Sequence, residues 1–168
     1  AGFACIRRSE HHDQQQPALP ASDPSAPSIL VPPNAVFLGD TMGELRKFYS
    51  MACVVFVGRS LAAMGGSDAM EVAALARPII VGPHNENFTD TIVRLQESQA
   101  VRILSADGAD ENVGRELTAV VNEMLTDPAA AREMGRRARQ VVLANRGATQ
   151  RTLDRLMEIL NRAQHRPS

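Results

Sequence analysis

Three stretches of this chain concentrate side chains able to hold a ligand. Residues 64–71 read Met64-Gly65-Gly66-Ser67-Asp68-Ala69-Met70-Glu71. Paired glycines remove two Cβ atoms just ahead of a helical segment, whose free N–H groups and partial positive charge suit a phosphate. Glu71, one turn in, has two oxygens with which to accept from both hydroxyls of a vicinal diol such as a ribose. A plainer reading stands beside it: Asp68 and Glu71 have the spacing of a capping box, in which Glu71 merely returns to the backbone N–H of Asp68. Upstream, Gly58-Arg59-Ser60-Leu61 adds a guanidinium and a hydroxyl. Residues 82–88, Gly82-Pro83-His84-Asn85-Glu86-Asn87-Phe88, form a rigid turn with an imidazole for proton sharing or phosphate contact and an amide before the next helix; a structural histidine is the alternative. In Gly39-Asp40-Thr41-Met42-Gly43-Glu44-Leu45, Asp40 or Thr41 can cap a helix and the small residues admit close approach of backbone to a ligand; a capped turn with no ligand fits equally. There is no Ser/His/Asp set, no paired catalytic carboxylates and no Walker loop. The residues suit holding a ligand better than completing a reaction on it.

These stretches need elements to position them, and the chain supplies an alternating series. Ala35 to Leu38 reads as a strand, Gly43 to Met51 as a helix and Cys53 to Val57 as a strand. A helix follows over about Asp68 to Ala76, then a strand at Ile79 to Val81, a helix over Thr89 to Ser98 and a strand at Val101 to Leu104. Strands that are apolar throughout, separated by helices, predict a parallel sheet covered on both faces, a Rossmann-like α/β fold. In such a sheet ligands sit beyond the carboxyl ends of the strands, which is where all three stretches fall. The last third is helical. Leu117, Val120, Val121, Met124 and Leu125 mark one buried stripe. Asp127 caps a new helix with Pro128 at its first position and Met134, Ala138, Val141 and Val142 inward, and Asn145-Arg146-Gly147 ends it. Leu153, Leu156, Met157 and Leu160 mark a final helix. The methionines sit at core spacing and read as packing.

The domain reading is a short strand over 1–8, a flexible Pro-rich connection over 9–34 that holds six of the ten prolines, and the α/β domain over 35–168. Without an initial methionine or a preceding helix, the start reads as cut from something longer. His11 and His12 fall in the connection and are given no role. Cys5 and Cys53 are too few for a disulfide framework and lack metal spacing, which excludes the usual zinc site and fits a reducing cytoplasm. The longest apolar run, Met51 to Val57, is far short of the roughly 20 residues that cross a bilayer. The net charge of -1 hides an asymmetry: nine arginines against three acids from Ala129 onward give +6, and the remainder carries -7. A basic tail on an acidic body suits an anionic partner such as phospholipid or a phosphorylated acceptor, although solvated helix faces look the same. Nucleic acid fits poorly, since only 4% of residues are aromatic and stacking platforms are few.

Taken in order, the three loops resemble the C-terminal half of the 3-deoxy-D-manno-octulosonic acid (Kdo) transferases. The resemblance rests on Leu38-Gly39-Asp40-Thr41-Met42-Gly43-Glu44-Leu45, Phe48-Tyr49, Phe56-Val57-Gly58-Arg59-Ser60-Leu61, Gly65-Gly66 with Glu71, Gly82-Pro83-His84 with Asn87-Phe88, and Asn145-Arg146-Gly147-Ala148. Arg7-Arg8-Ser9 resembles the family's short strand before a variable connection. The resemblance implies a GT-B glycosyltransferase, with two Rossmann-like domains facing across a cleft, the C-terminal one binding the CMP part of CMP-Kdo. It implies that Glu71 takes the ribose, that Thr41, Met42 and Gly43 form the turn beside the cytidine, and that Ser60, Gly65 and Gly66 lie on the phosphate side. His84 and Asn87 would serve from the third loop, Asp68 would line the donor site and Arg59 would touch phosphate.

Two departures bear on that site. Family members usually have a second glycine where Arg59 stands, and a His-Asn-Pro run where Ser67-Asp68-Ala69 stands. Arg59 can pair with phosphate but also narrows the loop, and Asp68 adds a negative charge beside an anionic donor. The reading is therefore the donor domain of an inverting, metal-independent enzyme that transfers Kdo to a lipid A precursor at the cytoplasmic face of the bacterial inner membrane, in peripheral contact with anionic lipid. The helix start after Gly66 would steady the leaving phosphate. The catalytic base of the family is an acidic residue of an N-terminal acceptor domain, so no catalytic residue is assigned here and the fragment is expected to be inactive alone. The alternatives are a non-catalytic nucleotide-binding or scaffold module and, third, a donor domain for a UDP-sugar.

Overall fold

The computed structural model describes residues 3–11, 35–105, 111–147 and 152–157. The chain divides into two units, the first ending at Phe48 and the second beginning at Tyr49.

In the first unit β1 (Ala4–Arg7) and β2 (Ala35–Leu38) pair in parallel with Ala4 opposite Ala35 and Arg7 opposite Leu38. Arg8 N–H extends the ladder to Leu38 O at 2.9 Å. The Pro-rich connection lies outside the described residues from position 12 to 34. After β2 the chain turns through Gly39 into α1 (Leu45–Met51), with the Phe37 and Phe48 rings 5.8 Å apart between centroids. A Cβ at Gly39 would stand 2.8 Å from the Phe48 ring, so a glycine here lets the ring lie over the turn.

The second unit is a doubly covered parallel sheet. Its strands are β3 (Val55–Val57), β4 (Ile79–Val81) and β5 (Arg102–Ile103), in that order, with Val57 opposite Val81 and Val81 opposite Ile103. All three residues of β4 are buried, as a central strand requires. Successive side chains on a strand point to opposite faces, and the core divides accordingly. Ile79 and Val81 join Val72, Ala73, Ile92, Leu95, Ala138 and Val141 on one side, from α2 (Met70–Ala74), α3 (Thr89–Glu97) and α5 (Pro128–Ala144). Ile80 joins Leu104, Val120, Met124 and Ala131 on the other, where α4 (Glu111–Thr126) lies.

α5 begins as its sequence predicts. Asp127 accepts from Ala129 N and Ala130 N at 3.2 and 3.0 Å, and Pro128 needs no partner at the first position. It crosses the end of α2 so closely that a Cβ at Gly135 would stand 2.1 Å from Ala76 O.

Among the described residues the strand at 35–38 pairs in parallel with β1, all four of its residues in register. One expectation is corrected. Leu125, expected on the inner stripe of α4, is 52% exposed, because the stripe is complete with Val120 and Met124 and position 125 has rotated past it. Residues 152–157 are helical and exposed, and Leu160 lies outside the described residues.

Candidate functional site

The second and third loops follow β3 and β4 at the carboxyl edge of the sheet, and the chain ties them to each other. Ser60 is fully buried; its hydroxyl donates to Val57 O at 2.7 Å and accepts from Gly82 N at 2.8 Å. Two further bonds join the loops, His84 N to Ser60 O at 3.0 Å and Asn87 N to Gly65 O at 3.2 Å. Gly66 N closes the second loop on Arg59 O at 3.1 Å. The loops approach so closely that a Cβ at Gly82 would stand 2.1 Å from Ser60 O.

Several of the candidate residues also hold the loops to each other. The Ser60 hydroxyl braces the two loops and is spent on protein atoms. Gly65 and Gly66 are buried, and the space where their Cβ atoms would stand is held by Asn87 Nδ2 and by Asn85 Oδ1. The glycine pair thus makes room for the third loop. Asn85, to which the sequence assigns no role, is buried and donates from Nδ2 to Gly82 O at 2.6 Å, while its Oδ1 has no hydrogen-bond partner among the described residues. No pattern in the letters marks it, because a single asparagine in a turn is ordinary.

Around this braced pair lie the exposed polar groups. Glu71 is exposed on the first turn of α2 and makes no side-chain hydrogen bond among the described residues. The capping box is therefore not formed. Asp68 instead accepts from Met70 N through Oδ1 at 2.8 Å. That puts an acid on one of the free N–H groups of a helix only five residues long, so the helix start is a poorer anion site than the sequence suggests. Arg59 is the exposed cation of the second loop, its guanidinium reaching Met64 O at 3.4 Å. Its φ of 61° lies in the left-handed region that favours glycine. His84 is half-buried, with Nδ1 3.2 Å from Glu86 Oε1, and Asn87 is exposed. The Glu86 carboxyl is held below its ordinary range, first by its own backbone N–H and then by His84. Tyr49 belongs to the same neighbourhood: burial, together with the charges of Glu71 and Asp68, pushes its phenol above the usual value of 10.0.

Thr41, Met42 and Gly43 belong to the first unit. Met42 is 98% exposed and Gly43 has a φ of 80°. Neither Asp40 nor Thr41 is engaged as a helix cap. Asp40 accepts from Ser9 N and Oγ at 2.8 and 2.6 Å. Thr41 Oγ1 donates at 2.5 Å to Glu44, which also takes Arg8 and Lys47. A hollow of about 540 Å³ lies between α3 and α5, lined by Arg94, Ser98, Arg137 and Gln140, and shares no residue with these loops. Among the described residues no cluster of His, Cys, Asp and Glu is arranged to hold a metal, and no helix is long and apolar enough to cross a membrane.

A parallel α/β layer with its polar loops gathered at the carboxyl ends of the strands defines the class, a Rossmann-like ligand-binding domain. No protein-family model matches the chain. It is 39% identical over 127 residues to a 3-deoxy-D-manno-octulosonic acid transferase of Bordetella pertussis and 35% identical over 127 residues to one of Haemophilus influenzae, matches that cover 74% and 76% of the chain. The chain spans 28% of the length of each. Its fold is similar to the crystal structure of the C-terminal CMP-Kdo binding domain of WaaA from Acinetobacter baumannii, with a TM-score of 0.64 and 25% identity over 83% of this chain and 61% of that one. The chain belongs to the 3-deoxy-D-manno-octulosonic acid transferase family and corresponds to the C-terminal domain of its members.

Proposed function

We propose that the chain is the donor-binding domain of a GT-B glycosyltransferase that moves Kdo from CMP-Kdo to a lipid A precursor in lipopolysaccharide biosynthesis, at the cytoplasmic face of the inner membrane. The observation that carries the reading is Glu71, a carboxylate exposed beside the braced loops and not returned to its own backbone. Both of its oxygens are available to accept from the 2′ and 3′ hydroxyls of the CMP ribose. The neighbouring phosphate is taken by Arg59, the exposed cation of the second loop, which offsets the charge of Asp68. His84 and Asn87 supply further polar contacts, and Ser60, Gly65 and Gly66 act by fixing the loops. The assignment of Thr41, Met42 and Gly43 to the cytidine side comes from the family resemblance alone.

In the reaction an acceptor hydroxyl attacks the anomeric carbon of Kdo with inversion. The bond from that carbon to the phosphate oxygen breaks, its electron pair leaves with CMP, and the hydroxyl proton passes to an acidic residue of the acceptor domain. In this reading the domain stabilises the departing phosphate with Arg59 and uses no metal. Calorimetric titration with CMP, CDP and UDP tests the reading. CMP binds best, and Glu71→Ala weakens it by about 1.5–3 kcal/mol, roughly 10- to 150-fold. A folded chain that binds none of the three supports the non-catalytic scaffold instead, and a preference for UDP supports a UDP-sugar donor.

A further inference from the structure

The outer face of α5 carries a charge pattern that the helix itself does not need. The helix buries Ala131, Gly135, Ala138 and Val141. Away from that stripe Arg132, Arg136 and Arg139 follow at i, i+4 and i+7, all exposed, with the 44% exposed Leu143 one turn further along. Like charges three and four residues apart repel on a helix surface, and Arg132 stands towards the end of the macrodipole that disfavours cations. The first turn holds no acid and the last turn no base, the reverse of what helix stability favours. The acid of this helix is Glu133, which binds Arg136 at 2.7 and 2.8 Å. Arg132 and Arg139 have no side-chain partner among the described residues. Arg137 also lies 3.8 Å from Glu133 and donates from Nε to Gln99 O at 3.1 Å.

We propose that this stripe is a docking surface for a bilayer carrying anionic phospholipid, with α5 lying along the headgroups, its arginines on lipid phosphates and Leu143 reaching towards the acyl boundary. Residues 132 to 143 cover about 16 Å along the axis, a row suited to a plane of repeated phosphates. An apolar residue in line with the charges fits an interfacial helix, and α5 carries no aromatic residue on which a polynucleotide base would stack. The inference takes from the proposed function only that a membrane is at hand; donor binding does not enter it.

Co-sedimentation of the full chain with lipid vesicles tests it. Vesicles with about one-quarter phosphatidylglycerol retain the protein, pure phosphatidylcholine vesicles do not, and salt reverses the binding. Arg132→Gln, Arg136→Gln and Arg139→Gln combined lower binding roughly 100-fold, at about fivefold for each charge. Arg46→Gln, Arg102→Gln and Arg155→Gln, which remove the same charge elsewhere, leave most of it. Circular dichroism verifies that both variants fold, and CMP titration of the α5 variant separates loss of the membrane surface from loss of the donor site. Failure of the wild-type chain to bind the anionic vesicles, or equal losses in the two variants, overturns the proposal.

Discussion

Single residues in this protein are often spent in ways their type conceals. Arg59 holds a left-handed φ of 61° where the family resemblance leads one to expect glycine. A non-glycine residue is strained there, so Arg59→Gly should stabilise the fold by about 1 kcal/mol while weakening CMP if the guanidinium takes the phosphate. Thermal unfolding and calorimetry on the same variant measure both, and a fall in the melting temperature contradicts the strain argument. Glu44 is the hub of the first loop. The Thr41 hydroxyl first, then Arg8 and Lys47, hold its carboxyl at about 2, against an ordinary 4.5. A depressed folded value contributes stability that is fully present above the unfolded one, so this contribution should fade as pH falls from 4.5 towards 2. Following the Glu44 carboxyl by carbon NMR should give a midpoint near 2, and Thr41→Val should raise it. A wild-type midpoint near 4.5 would remove Glu44 from that role.

Elements were far easier to read than the bonds between them. The strand at Ile79–Val81, the helix from Thr89 and the capped start at Pro128 all follow from runs of apolar residues and from local capping chemistry, which a sequence states directly. The pairing of Ser60 with Gly82 across 22 positions has no such signature, because a hydroxyl shows its partner only after the strands have aligned the loops. The glycine pair had a visible cause, close approach, but the approaching group is Asn85 and Asn87 from the next loop. Likewise Asp68 and Glu71 had the right spacing to cap one another, and only the conformation shows Asp68 turned to Met70 N and Glu71 left outward. At this scale the brace itself is testable. Gly82→Ala would press a Cβ against the Ser60 carbonyl, where backbone rather than a flexible side chain must yield. We expect a loss of about 2–3 kcal/mol in denaturant unfolding, accompanied by weaker CMP binding. An alanine variant of wild-type stability would mean that the two loops are not locked together.

For the whole molecule, the division of labour follows the division of charge. The sheet of the second unit buries a two-sided apolar core and leaves its carboxyl edge to polar loops. The arginines gather in the final third, where α5 supplies both an inner packing face and an outer basic one. On the two proposals made above, a domain built this way binds a nucleotide at one place and an anionic surface at another. The account stands or falls on whether Glu71 grips the ribose, and comparing CMP with 2′-deoxy-CMP by calorimetry on the wild-type chain and on Glu71→Ala isolates that contact. The wild-type chain should prefer CMP by about fivefold to tenfold, one charge-assisted hydrogen bond, and the variant should bind the two alike. A preference for CMP that survives unchanged in Glu71→Ala would show that the ribose hydroxyl is held elsewhere and would contradict the assignment.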